Sequence, residues 1–227
     1  MTNNRTTDPS FFVVAIDGGA ASGKTSTSRL LSKKRHFLHV DTGSHYRAVT
    51  RACMDAGVPP VEGEKLQAFL DGLSLGTVIV DCESLLGING EAPYGTKVLR
   101  SEEVNHQVSP YSALPQVRHS VKAYQRSQVA LAREAGFEGI IMDGRDIGTV
   151  ILPHADLKVF LIADEATRQR RRSLEGSRDT IAARDKTDST RSVAPLKPAA
   201  DALVLDNSGL SLPEVAAKIE ILLQGIQ

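Results

Sequence analysis

Val14-Ala-Ile-Asp-Gly-Gly-Ala-Ala-Ser-Gly-Lys-Thr-Ser26 is the stretch that decides the fold. Within it, Gly18-x-x-x-x-Gly23-Lys24-Thr25 has the spacing of a phosphate-binding loop. Its surroundings are those the motif requires. Phe11 to Ile16 is an unbroken apolar run, which predicts a strand buried on both faces. Thr25 to Lys34 predicts a helix with Leu30 and Leu31 turned inward. Glycines at such a turn let successive backbone N–H groups curl around a phosphate, and the helix N-terminus adds its positive end. Gly18, Gly19, Ala20, Ala21, Ser22, Gly23, Lys24, Thr25 and Ser26 are therefore the expected phosphate cradle. Lys24 is expected to reach the β- and γ-phosphates of a nucleoside triphosphate such as ATP, and the Thr25 hydroxyl a Mg²⁺ ion.

Working outward, apolar strand-like runs alternate with helical patterns. Phe37 to Asp41 predicts a second strand, followed by a helix from Thr42 to Met54 that Gly57 and Pro59-Pro60 stop. Further strands are predicted at Gly139–Asp143, Leu157–Ala163 and Ala202–Asp206. Helices are predicted from Pro115 to about Gly136, from about Glu165, and from the capping box Ser211-Leu-Pro-Glu214. This alternation predicts an α/β fold with a central parallel sheet flanked by helices. Residues 58–113 differ in character. Glu64–Leu70 predicts a short helix, Thr77–Asp81 a strand, Gly87–Gly90 a turn and Lys97–Leu99 a return strand. The expectation is a β-containing insertion that holds a second substrate. It divides the chain into a flexible tail at 1–10, a core at 11–57 and 114–227, and the insertion at 58–113.

The totals exclude several classes. The chain has 227 residues, 41% of them hydrophobic and 24% charged, the composition of a globular protein. Its formal net charge is zero, which argues against nucleic acid as a partner. Cys53 and Cys82 have neither zinc-ligand nor CxxC spacing, so a reducing compartment is expected. The first ten residues are polar and lack the apolar stretch of a signal peptide, and no apolar run is long enough to span a membrane. A cytoplasmic monomer is the expectation. The six histidines have no metal-ligand spacing and read as structural.

Three further constellations sit at predicted strand ends or on helices, where a doubly wound sheet places its ligand crevice. Asp41 ends a strand, Thr42 and Gly43 begin the turn, and Arg47 lies about one helical turn on. Arg47 could pair with a phosphate or a carboxylate; as easily, Asp41 caps the helix and Arg47 is a solvated surface residue. Asp143-Gly-Arg-Asp146 closes another strand, where an acid can hold Mg²⁺ while Arg145 and Asp146 face a substrate. Arg168, Arg170, Arg171 and Arg172 precede a second basic cluster, Arg184 to Arg191. Two arginine groups around Glu175-Gly-Ser-Arg178 predict a lid over about residues 168–191. Such a lid supplies cations to a transferring phosphoryl group and excludes water.

Taken together these residues resemble the bacterial cytidylate kinases, members of the nucleoside monophosphate kinases with a P-loop NTPase fold. The resemblance runs from about Val14 to Leu222. It rests on the phosphate loop, Asp41-Thr-Gly-x-x-Tyr-Arg47, Leu99-Arg-Ser-x-Glu-Val104, Pro115-x-Val-Arg118, Asp143-Gly-Arg-Asp-Ile-Gly-Thr149, Arg184-Asp-x-x-Asp-x-x-Arg191 and Val193-Ala-Pro-Leu-Lys-Pro198. It implies phosphoryl transfer from ATP, with Mg²⁺, to CMP or dCMP. By resemblance Thr42, Arg47, Ser109, Arg118, Arg145, Asp146, Arg184 and Asp188 hold the monophosphate. The arginines take its phosphate, while Ser109, Arg118 and Asp146 belong with the cytosine and sugar. Lys24, Arg145, Arg184 and Arg191 surround the transferred group, and Thr25 and Asp143 serve the metal. Residues 58–113 match the family's enlarged monophosphate-binding region. Gly19 stands where the family commonly has proline, the segment between Arg172 and Arg184 is shorter than the family pattern, and residues 87–97 fit that pattern poorly. Other readings of the same residues are a P-loop kinase for another small acceptor such as UMP, a nucleotide-dependent regulatory binding module, or a member that binds nucleotide without catalysis. A guanine-specific switch would want an Asn-Lys-x-Asp element, which is absent.

Overall fold

A computed structural model describes residues 11–174 and 181–226, with the side chains of 174 and 181–184 outside the description. Its centre is β1 (Phe12–Gly18), where six of seven residues are buried. Successive side chains of a strand point to opposite faces, so β1 needs two apolar layers. Val14 and Ile16 pack with Leu31, Val215, Ile219 and Leu223 on one face. Ala15 packs with Leu38, Ala132, Ile140 and Ile147 on the other. The helices behind those layers are α1 (Lys24–Arg35) and α9 (Leu212–Gln224), and α6 (Pro115–Glu134).

β1 lies between β5 (Gly139–Gly144) and β6 (Leu157–Ile162), parallel to both. β2 (Phe37–Asp41) flanks β5 and β7 (Leu203–Asp206) flanks β6, again in parallel. With β3 (Leu75–Val80) and β4 (Glu83–Ile88) the sheet has, among the described residues, seven strands in the order β3-β4-β2-β5-β1-β6-β7. The chain leaves β1 for β2 on one side and later returns to β6 on the other. The crevice beyond the strands' C-terminal ends at that reversal is where ligands bind in such sheets. The predicted parallel α/β core is therefore observed.

The insertion differs in detail from the sequence expectation. Its hairpin pairs β3 with β4, turning at Asp81 and Cys82, and Asp81 is left-handed at φ 53°. Lys97–Leu99, expected as the return strand, lies in the short helix α4 (Thr96–Leu99). Gly87, expected in the turn, lies inside β4. The hairpin also joins the main sheet, because His39 of β2 pairs with Glu83 and its N–H donates to Cys82 O at 2.7 Å. Leu86 and Ile88 share a core with α2 (Thr42–Asp55), α3 (Glu64–Asp71), α5 (Glu102–Ala113) and α6 through Val49, Leu66, Val108 and Val121. α7 (Glu165–Leu174) and α8 (Ile181–Thr190) complete the chain order. Among the described residues no helix is long and apolar enough to cross a membrane.

Candidate active site

The phosphate loop leaves β1 at Gly18 and enters α1 at Lys24. Gly23 caps α1 at φ 88°, a left-handed conformation that favours glycine. Lys24 is buried and its Nζ donates to Gly19 O at 3.1 Å, so the ammonium is folded over its own loop. The loop is braced from outside by β7's end and by α7. Asn207 Nδ2 donates to Ser22 O at 2.8 Å, and Arg171 donates to Ser22 O at 3.2 Å and to Asn207 Oδ1 at 3.0 Å.

Beside the loop, at the end of β5, lies Asp143, 1% exposed. Its Oδ1 accepts from the Thr25 hydroxyl at 2.9 Å and its Oδ2 bonds His39 Nε2 at 2.7 Å. Its carbonyl accepts from the Thr42 hydroxyl at 2.7 Å. A hydroxyl and a carboxylate are hard oxygen donors. A set this small suits Mg²⁺, which keeps several waters and completes its octahedron on substrate phosphates, better than an ion caged by protein alone. No cluster of three or more His, Cys, Asp or Glu that could hold a metal occurs among the described residues.

Past Asp143 the chain makes a single π-helical turn at Ile147–Ile151. Asp17, at the end of β1, fixes that turn by accepting the N–H groups of Ile147 and Gly148, each at 2.8 Å. Burial raises the Asp17 carboxyl to about 6, against those two hydrogen bonds. Arg145 and Asp146 lie between Asp143 and this anchored turn. They enter an alternating chain of charges: Arg118 meets Asp146 at 2.5 Å, Asp146 meets Arg191 at 3.3 Å, Arg191 meets Asp188 at 3.7 Å and Asp188 meets Arg145 at 2.7 Å. Burial, then the charge of Arg118, pull the Arg191 guanidinium below its ordinary value. A cation held this way gains from any anion that enters beside it.

Lys24, Thr25, Asp143 and the charge chain from Arg118 to Arg145 line one cavity of about 350 Å³. Among the described residues its lining includes eight arginines or lysines and four aspartates, an excess that selects an anionic ligand. Ala20, Ala21, Gly23, Lys24, Thr25 and Ser26 line it from the phosphate-loop side. Thr42, Arg47, Ser109, Arg118, Asp143, Arg145, Asp146, Asp188 and Arg191 line the other walls, so most of the sequence candidates converge on one space. Gly18, Gly19 and Ser22 stand outside its lining. The Arg184 side chain and the expected lid residues Glu175–Arg178 lie outside the described residues. Arg47 is 7% exposed and not the solvated surface residue of one reading: it donates to Leu99 O at 3.0 Å and to Asn105 Oδ1 at 2.7 Å. Asp41 does cap its helix, accepting Ser44 N at 3.2 Å, and also lines the cavity. Burial would raise its carboxyl, but the Ser44 hydroxyl at 2.6 Å leads the opposing interactions and holds it at about 2.

Arg172, expected in the first part of the lid, lines the cavity. Several participants escaped the sequence reading. Tyr46 lines the cavity, with the Arg118 guanidinium 5.2 Å from its ring centroid. Arg100 lines it too, 3.9 Å from Asp41. Asn207 had a usable signal, since it directly follows a strand end. His39 had only its place in an otherwise apolar strand.

The model of the cytidylate kinase family matches residues 14–224. The chain belongs to the cytidylate kinase family. A cytidylate kinase from Geobacillus sp. (strain WCH70) is 38% identical over 217 residues, covering 91% of this chain and 93% of that protein. One from Streptococcus pneumoniae (strain 70585) is 39% identical over 218 residues, covering 91% and 95%. One from Exiguobacterium sp. (strain ATCC BAA-1283 / AT1b) is 38% identical over 225 residues, covering 94% and 97%. The family match thus spans the loop, the insertion and the whole charge chain at once.

Proposed function

We propose that this chain transfers the γ-phosphoryl group of ATP to CMP or dCMP, giving ADP and CDP or dCDP, with Mg²⁺ as the metal. The observation that carries this reading is that the phosphate loop and the Arg118–Asp146–Arg191–Asp188–Arg145 chain face one cavity. Lys24 and the loop N–H groups bind the donor phosphates. Residues 58–113 form the acceptor-binding insertion, and Ser109, Arg118 and Asp146 hold the cytosine and sugar. Arg47, Arg145 and Arg184 take the acceptor phosphate, Asp188 orients Arg145, and Arg191 stands by the transferred group. Residues 168–191 act as the lid.

The nucleophile is an oxygen of the acceptor phosphate, already an anion, so no strong general base is needed. The protein's contribution is alignment and charge neutralisation. Bound Mg²⁺, held by Thr25 and Asp143, would supply charge neutralisation at the donor phosphates. A monomer is the working unit in this reading.

A panel of nucleoside monophosphates in a coupled ADP-release assay tests the reading. CMP and dCMP should give the highest kcat/KM, and ADP release without an acceptor should be negligible. Higher turnover with UMP or AMP would reassign the acceptor. Release independent of any acceptor would replace the kinase by a hydrolytic switch.

A further inference from the structure

His39 is a histidine inside a buried strand, flanked by Leu38 and Val40, both fully buried. A leucine or phenylalanine would fill the same space at no polar cost, whereas an imidazole in a core needs a partner. Its partner is Asp143, with Nε2 2.7 Å from Oδ2 and both side chains 1% exposed. A carboxylate only accepts, so Nε2 carries the hydrogen and donates. The main chain that carries the ring is fixed as well. β2 pairs with β5 in register, His39 opposite Ile141, and the His39 N–H is tied to Cys82 O at 2.7 Å.

With Oδ2 committed to His39, the oxygen that Asp143 turns to Thr25 is Oδ1, 2.9 Å from that hydroxyl. We propose that His39 is a positioning residue: its hydrogen bond fixes the rotation of the Asp143 carboxylate so that the other oxygen stays turned to Thr25, and so presets the divalent-cation site before nucleotide arrives. This rests on the reading of Thr25 and Asp143 as metal donors. Partners of this kind fix the orientation of metal-binding carboxylates elsewhere, and their loss typically costs tenfold or more in metal affinity.

The test uses the full chain with a non-hydrolysable ATP analogue and Mn²⁺ as a spectroscopic probe, read by electron paramagnetic resonance. His39→Leu removes the donor. His39→Asn keeps the site polar but is too short to reach Oδ2. His39→Gln places an amide N–H near the position of Nε2. Leu and Asn should loosen Mn²⁺ in the nucleotide complex by roughly tenfold, while Gln stays close to the parent. Affinity for the analogue without metal, and KM for CMP, should not change. Equal Mn²⁺ affinity in all three variants would overturn the proposal, as would a Gln variant as poor as Leu. A matching loss of metal-free nucleotide affinity would do so too, because it marks general damage to the loop. Should His39→Leu not fold, the Asn and Gln pair decides by the same criteria. Asp143→Asn separates the two levels: Mn²⁺ binding unchanged in that variant removes the metal reading itself, whereas loss there with no effect at His39 removes only the positioning role.

Discussion

The carboxylate of Asp185 accepts the backbone N–H of Ala20 at 2.8 Å, inside the phosphate-loop motif. The same carboxylate is ion-paired with Arg168 of α7. Gly19 leaves room for this, since a Cβ there would stand 3.0 Å from Asp185 Oδ2 and 3.2 Å from the Arg168 guanidinium. A protein anion thus sits on a phosphate-loop amide, and a triphosphate bound as proposed would displace it. We expect Asp185→Ala to tighten ATP binding by roughly tenfold, about the worth of one charge-assisted hydrogen bond. Affinity for CMP should hold. Calorimetric titration of each nucleotide checks this, and weaker ATP binding would mean that Asp185 serves chiefly to aim Arg168. Gly19→Ala should act in the same direction and less strongly.

Lys24 donates to Gly19 O and borders the cavity, so its ammonium is already stationed at the loop. Lys24→Ala should lower kcat by on the order of a thousandfold, several kcal/mol of transition-state stabilisation. Single-turnover kinetics at saturating nucleotide would show it. Near-full turnover would sink the kinase assignment for this site.

Asp146 separates two buried guanidiniums, Arg118 at 2.5 Å and Arg191 at 3.3 Å. Removing it leaves both cations facing each other without their shared anion. Asp146→Ala should cost about 3 kcal/mol of stability, the usual penalty for breaking a buried ion pair from one side. Denaturant unfolding of the two proteins side by side measures this. An unchanged midpoint would mean that the charge chain is solvated in solution.

Asp17 makes stability depend on pH in an unusual sense. Its folded value, about 6, lies above the ordinary 3.8, so the native chain holds the proton more tightly than the unfolded one. The native state therefore carries the extra proton between about pH 4 and 6, and stability falls as pH rises through that window. The contribution is about 2–3 kcal/mol. Asp41 works oppositely and lower: held at about 2, it supplies stability above pH 4 that is lost as pH falls toward 2. Chemical unfolding across pH 3 to 7 checks both. Asp17→Asn should flatten the slope between pH 4 and 6 whatever its absolute stability, and an unaltered slope would refute the assignment to Asp17.

The strands of the core were legible because each is an apolar run with a plain boundary. Phe37–Asp41 ends at an acid that caps the next helix, and Gly139–Gly144 runs into the Asp-Gly-Arg-Asp signal. The hairpin was misread for a physical reason. Its turn is made by Asp81 and Cys82 without glycine, whereas Gly87 and Gly90, the visible turn signals, lie within and just beyond β4. Asp17, His39 and Asp185 were invisible as participants for another reason. Each acts on a partner far away in sequence, Ile147, Asp143 and Ala20, and no local pattern encodes those meetings.

By itself the sequence determined the phosphate loop, the parallel α/β frame and the residue types that recur as donors and cations. These are local properties, set by backbone freedom at Gly18 to Gly23, by strand and helix periodicity, and by the side chains at strand ends. Only the tertiary structure decided which of those side chains meet. The pairing of β5 with β1 brings Asp143 to Thr25, and the return of the chain from α6 through β5 brings Asp146 to Arg118. Burial then makes each meeting selective, because a charge out of water must find its partner.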